Sequence, residues 1–215
     1  MSVLENLPAE LAGRDTAHAV RLVQSYFDPS PLMPHHFSGA YFERLDGGGD
    51  RAGVRNRITG ADIVAVSMLS VTIPSDSVKK LDELSDTISD HLEHIPWDLN
   101  LVDAGADQIG ESSPAWKLWD ALTKIDHIGW VTANKLLARK RPLLLPVYDN
   151  VVRDLFDAPT SLWASLQATL ASDDRALFNR LLAIREAAGV GDDISPLRVF
   201  DVVCWRLGMG YTCPE

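Results

Sequence analysis

"DHIGWVTANKLLARKRP", residues 126–142, decides how the rest of this chain is read. Gly129 stands between two stretches of helical pattern, "AWKLWDALTKI" (115–125) and "WVTANKLLARK" (130–140). Glycine takes the positive φ that other residues resist, so the spacing predicts a tight turn joining two helices. The first N–H groups of the second helix lack partners within the helix and carry the positive end of its dipole. That is the geometry of a phosphate site. The second helix runs into Arg139, Lys140 and Arg141, yet the 215-residue chain has a formal net charge of −10. From Asp126 to Arg153 five basic residues face two acidic ones, a local excess of three that leaves −13 on the remainder. Such polarity orients a protein on a polyanion and argues against indiscriminate nucleic-acid binding.

The pattern on either side is helical. Ala17, Val20, Val23, Tyr26 and Phe27 fall at helical spacing within 13–27, and Thr59 with Asp62 forms a capping-box pair before "GADIVAVSMLS". That last helix is apolar almost all round, which predicts a central place in the core. A helix over 75–95 carries an acidic face of Asp82, Glu83, Asp86, Asp90 and Glu93, and residues 97–113 read as a loop. Ser113-Pro114 and Ser195-Pro196 open two further helices, since proline suits the first helical position. Asp149 starts another, and two more fit 160–171 and 173–188. Strands alternating with helices are absent, so the expected fold class is all-α. A single helical domain over 1–215 is expected, with two lobes, about 1–110 and 111–215, as the alternative.

With 46% hydrophobic and 23% charged residues, the chain has the composition of a soluble globular protein. No apolar run approaches the ~20 residues of a membrane helix, and no secretory signal is seen in "MSVLENLPAEL". Cys204 and Cys213 match no metal spacing and do not make a disulfide framework, so reduced thiols in a cytoplasm are expected. No cofactor, metal or membrane contact is expected.

"IDHIGWVTANKLL" resembles the helix-hairpin-helix signature L-P-G-V-G-x-x-T-A, with Ile125, Ile128, Gly129, Thr132 and Ala133 on its L, V, G, T and A. "LLPVYDNVVR" is similar to the segment that holds the catalytic aspartate of the base-excision DNA glycosylases. Asp149 follows Gly129 by 20 residues, as in that superfamily. The likeness covers about residues 115–155, with the hairpin motif at 115–141. The chain also looks like a member of an uncharacterised actinobacterial family that shares "GWVTAxKLLARKRP" and "PVYD". The glycosylase resemblance implies a glycosylase-like helical domain that grips duplex DNA. His127, Gly129, Trp130, Thr132, Lys135, Arg139, Lys140, Arg141 and Arg153 are its expected DNA contacts, and Asp149 is its catalytic residue, acting on a base flipped from the stack. The departures are specific. His127 replaces the first hairpin glycine and Asp126 the proline. Val131 stands where bifunctional members carry a nucleophilic lysine, which excludes a Schiff-base step at that position. Tyr148 separates the valine from the aspartate, Arg153 is displaced by one residue, and no four-cysteine loop ends the chain.

Each of these residues also has a plainer reading. Asp149 suits the N-cap of the next helix, and Arg139, Lys140 and Arg141 suit a solvated helix C-terminus. Trp116 and Trp119, at i and i+3, suit the core; Trp130 is the aromatic expected to face DNA or a partner. "GGGDR", followed by Arg55 and Arg57, lacks the G-K-[ST] of a phosphate loop and reads as a mobile basic loop. His91 and His94 share a helix face without a third metal ligand, and His35-His36 is uninformative. Two alternatives to a DNA glycosylase stand: a catalytically inert relative that binds a protein partner, and an enzyme acting on a small nucleotide or nucleoside.

Overall fold

A helix is stable in water only when its apolar stripe is covered, and in this chain the stripes cover one another. The computed structural model describes Leu4 and residues 7–28, 37–157 and 161–211. His35, His36 and Cys213 lie outside the described residues. Among the described residues there are eleven α-helices and no strand: α1 (Thr16–Phe27), α2 (Gly60–Ser67), α3 (Ser75–Glu83), α4 (Ser85–Glu93), α5 (Ala106–Ile109), α6 (Pro114–Thr123), α7 (Trp130–Lys140), α8 (Asn150–Phe156), α9 (Trp163–Ala171), α10 (Ala176–Ala188) and α11 (Pro196–Gly208). The protein is all-α. No described helix is long and apolar enough to cross a membrane.

The central element is α11. Ser195 caps it by accepting the Arg198 N–H at 3.1 Å, and Pro196 occupies its first position. Ten of its thirteen residues are buried, and it packs against α1, α8 and α10. One cluster of buried side chains runs from Leu11 through α1, α4, α6 and α9 to Cys204. Trp116 and Trp119 pack against it, with ring centroids 5.2 Å apart and the edge of Trp163 on Trp116.

Three elements differ from the sequence reading. The helix expected over 75–95 is two, broken at Leu84 (φ −96°, ψ 8°). Across this break Leu81, Ile88 and Leu92 all bury, while the five acidic residues stay exposed. The loop over 97–113 contains the short α5. The apolar α2 is not central. Val64 is half exposed, and Ala65 and Val66 join a small separate cluster with Leu136 and Ala138 of α7. Two turns of short side chains bury little, and α2 is held instead by an inward-facing carboxylate, Asp62.

Candidate active site

Two helices, α6 and α7, flank a turn as the pattern predicts, but its left-handed position is not the glycine. Ser113 caps α6 through the Trp116 N–H at 3.1 Å, and the chain turns after Ile125. His127 adopts the left-handed conformation, φ +62°. Gly129 has extended backbone (φ −77°, ψ 176°), and a Cβ there meets nothing within 4 Å. The place of the missing first glycine is thus where left-handed backbone is required, and histidine bears it. The Asp126 carbonyl accepts the Ser77 hydroxyl at 2.7 Å, which ties the turn to α3. No side chain caps α7 at Gly129.

The basic run lies inside the protein. Arg139, Lys140 and Arg141 are each at most 3% exposed. Lys140 Nζ lies 2.5 Å from one oxygen of Asp62, and Arg139 Nε lies 3.3 Å from the other. The remaining donors go to backbone carbonyls, apart from one Arg141 N–H that goes to Asn56 Oδ1 at 2.9 Å. Arg139 holds those of Phe42, Glu43 and Leu45. Lys140 holds Gly49 at 3.0 Å and Val54 at 3.2 Å. Arg141 holds Arg55 at 2.7 Å, Ile95 at 2.8 Å and Leu92. Burial lowers the Lys140 pKa, and it lowers Arg141 to about 10 with Arg55 nearby. These side chains are neither phosphate contacts nor a solvated helix end. Arg139 and Lys140 supply donors to a largely irregular segment, about 42–55, and Arg141 ties its end to the carbonyls at the end of α4. The Gly47–Gly49 turn belongs to that segment, and Gly49 lies directly against Arg139. Arg51 pairs with Asp46 at 2.6 Å.

The other expected DNA contacts divide. His127 and Gly129 are exposed and Trp130 is half-buried. Arg153 covers the Trp130 ring at 5.5 Å and bonds Asp154 at 2.8 Å, and Tyr148 lies behind that ring, 5.4 Å between centroids. Thr132 and Lys135 are buried, so neither reaches a ligand at the hairpin surface.

Lys135 reaches Asp149 instead. Val147 and Tyr148 run buried beside α7 and bring Asp149 to the start of α8. One Asp149 oxygen accepts the N–H groups of Val151 at 3.0 Å and Val152 at 3.3 Å. The other lies 3.5 Å from Lys135 Nζ, which also donates to the Leu69 carbonyl at 2.8 Å. Asp149 is therefore the helix cap, and it also lines a cavity of about 520 Å³ together with Lys135, Arg198, Asp201 and Trp205. Val131 lines the same cavity one turn before Lys135. The absence of lysine at position 131 does not keep an amine out of it.

Sequence reading missed the far wall. Arg198 on α11 reaches Glu43 through Nε at 2.7 Å, Tyr26 Oη and the Gly39 carbonyl through Nη2, each at 2.9 Å, and Asp201 through Nη1. Burial raises the Glu43 carboxyl against the pull of Arg198, and raises Asp201 to about 7. Burial likewise lowers Lys135 against the pull of Asp149. The signal was present in "LRVFDVVCW". An arginine and an aspartate three apart inside an otherwise apolar helix are two charges that burial forces together. Elsewhere, Glu10, Asp15 and His18 place three potential metal-ligand atoms within 4.8 Å. They already partner one another and α1: His18 Nδ1 meets Glu10 at 2.8 Å, and Asp15 caps the helix.

A family model spans residues 19–208, from α1 to the end of α11, and so contains every residue of this site. The chain belongs to a family of unknown function, DUF6308. No curated protein and no solved structure matches the chain. The DUF6308 region covers both the hairpin and the α11 wall of the cavity.

Proposed function

We propose that this protein is a hydrolase of N-glycosidic bonds, working in the cavity at Asp149 on a nucleoside-sized substrate. One observation carries the reading. The Asp149 carboxylate is fixed by two helix N–H groups and turns its second oxygen towards Lys135 in the wall of a 520 Å³ cavity, a volume suited to a small ligand. A fixed carboxylate stabilises positive charge developing on a sugar as its base departs, and it takes a proton from attacking water. Trp205 and Phe37, packed edge to face with ring centroids 5.7 Å apart, give the cavity an aromatic side. The Lys135 amine is engaged by Asp149 and by the Leu69 carbonyl, which suits it to hold the carboxylate in place rather than to attack carbon.

A second reading keeps the chemistry and delivers the base from duplex DNA. The uncapped first turn of α7 favours it, because free N–H groups there suit a phosphate. Internal use of Arg139, Lys140 and Arg141 favours the free nucleoside, since these cations leave no phosphate grip outside.

The test is chromatographic release of free base from a nucleoside panel, and from duplex DNA carrying modified bases. Release from nucleosides supports the first reading. Release from DNA alone, with binding that weakens between about 50 and 200 mM salt, supports the second. Covalent trapping of substrate on Lys135 by borohydride contradicts the purely hydrolytic mechanism.

A further inference from the structure

The buried groups in and behind the cavity wall hold more acid than base. Five ionisable side chains stand there in two groups, Lys135 with Asp149, and Arg198 with both Glu43 and Asp201. None exposes more than 14% of its side chain. Arg198 and Lys135 bring two positive charges, and Glu43, Asp201 and Asp149 bring three negative ones. A net negative charge in a desolvated cluster is expensive, and one bound proton removes it. Glu43 and Asp201 compete for the same guanidinium, so the proton belongs to that pair. Of the two, Asp201 lines the cavity.

We infer that Asp201 is the proton donor of this site, giving its proton to the departing group while Asp149 serves the attacking water. The inference rests on the hydrolase reading above. The C–N bond breaks with its electron pair going to the base nitrogen, which takes the Asp201 proton. Water forms the new C–O bond, and its proton passes to Asp149 and returns through Lys135 or solvent to Asp201. Water is the one reagent consumed.

The elements packed against Asp201 act on its proton in both directions. Arg198 on its own helix, and Lys135 on α7, pull the proton off; Asp149 before α8 holds it on. Tyr26 on α1 and the Cys204 thiol beside Asp201 are both raised by burial, and so stay neutral. Burial of Asp201 itself is the largest influence and favours the protonated form. Arg198 and Glu43 are positioning residues, because they act through Asp201. A carboxyl that keeps its proton near neutral pH is what a general acid requires.

The first experiment needs no substrate. Carboxyl carbon NMR of the intact, ¹³C-aspartate-labelled chain is expected to show one aspartate with a midpoint near neutral pH that is absent in Asp201→Asn. If every aspartate completes its titration below about pH 5, the ordinary range, the inference is overturned. Should Asp201→Asn not fold, Asp149→Asn is expected to move the same midpoint downward by removing a neighbouring negative charge, and an unmoved midpoint overturns it. The second experiment is kinetic. Asp201→Asn is expected to lose about a hundredfold in kcat on nucleosides with poor leaving groups, and little on those whose base departs unprotonated. Equal loss on both classes overturns the donor role. A parent chain that hydrolyses neither class defeats the hydrolase reading, while the titration still locates the proton.

Discussion

Lys135 Nζ and the free oxygen of Asp149 stand 3.5 Å apart in a wall where neither is more than 14% exposed. The aspartate has two duties, one for each oxygen, and two substitutions separate them. Asp149→Asn keeps an N-cap, because asparagine caps as well as aspartate, but leaves Lys135 without a counter-charge. Asp149→Ala loses the cap as well and is expected to cost about 1 kcal/mol more in urea unfolding. Equal stability of the two variants would show that the cap contributes nothing.

The buried basic run makes a different prediction. Asp62 is 1% exposed and meets both Arg139 and Lys140. Removing one member of such a group strands the others away from water, so Asp62→Ala is expected to cost about 3–5 kcal/mol. Hydrogen exchange should then rise first over the 42–55 segment, whose carbonyls those cations hold. Arg139→Glu with Lys140→Glu is expected to unfold the protein rather than only to weaken ligand binding. A folded double variant with unchanged midpoint would contradict the burial.

The hairpin predicts opposite responses at positions two residues apart. His127 has φ +62° and pays the left-handed cost, so His127→Gly is expected to stabilise by about 0.5–1 kcal/mol. Gly129 has φ −77° and open space at its Cβ, so Gly129→Ala is expected to be tolerated. Denaturation midpoints of the two variants check this. Destabilisation by His127→Gly would mean that the side chain itself holds the turn.

These two positions show what sequence could convey. Apart from the break at Leu84 and the short α5, the helices, the Ser113, Ser195, Thr59 and Asp149 caps and the place of the turn are local features, set by residues within one helical turn of each other, and they were legible. The side-chain environment of the basic run was not. "ARKR" suits a solvated helix end as well as a buried one, and the choice is made by Asp62, 77 residues away from Arg139 in the chain. The far wall of the cavity was hidden for the same reason, since Glu43, Tyr26 and Arg198 meet only in the folded state.

Stability should also report the proton on Asp201. Its carboxyl titrates near 7 in the folded protein because of burial, against an ordinary value of 3.8. The folded state therefore binds a proton between about pH 4 and 7 that the unfolded chain has released. The stability from this group is complete below about pH 4 and is lost as pH rises through 7, amounting to about 4 kcal/mol at most. Asp201→Asn stays neutral throughout. Its stability is expected to fall less steeply over that window than the parent's, as read from urea unfolding at a series of pH values. Parallel curves would contradict the shift.

The most direct measurement is the rate of base release by the parent chain and by Asp149→Asn, with circular dichroism confirming that both are folded. The account predicts that the parent liberates free base and that the variant, with its helix still capped, is slower by at least about a hundredfold. Release at the same rate from both, or from neither on any nucleoside or duplex offered, would contradict the assignment of Asp149 and its cavity as a hydrolytic site.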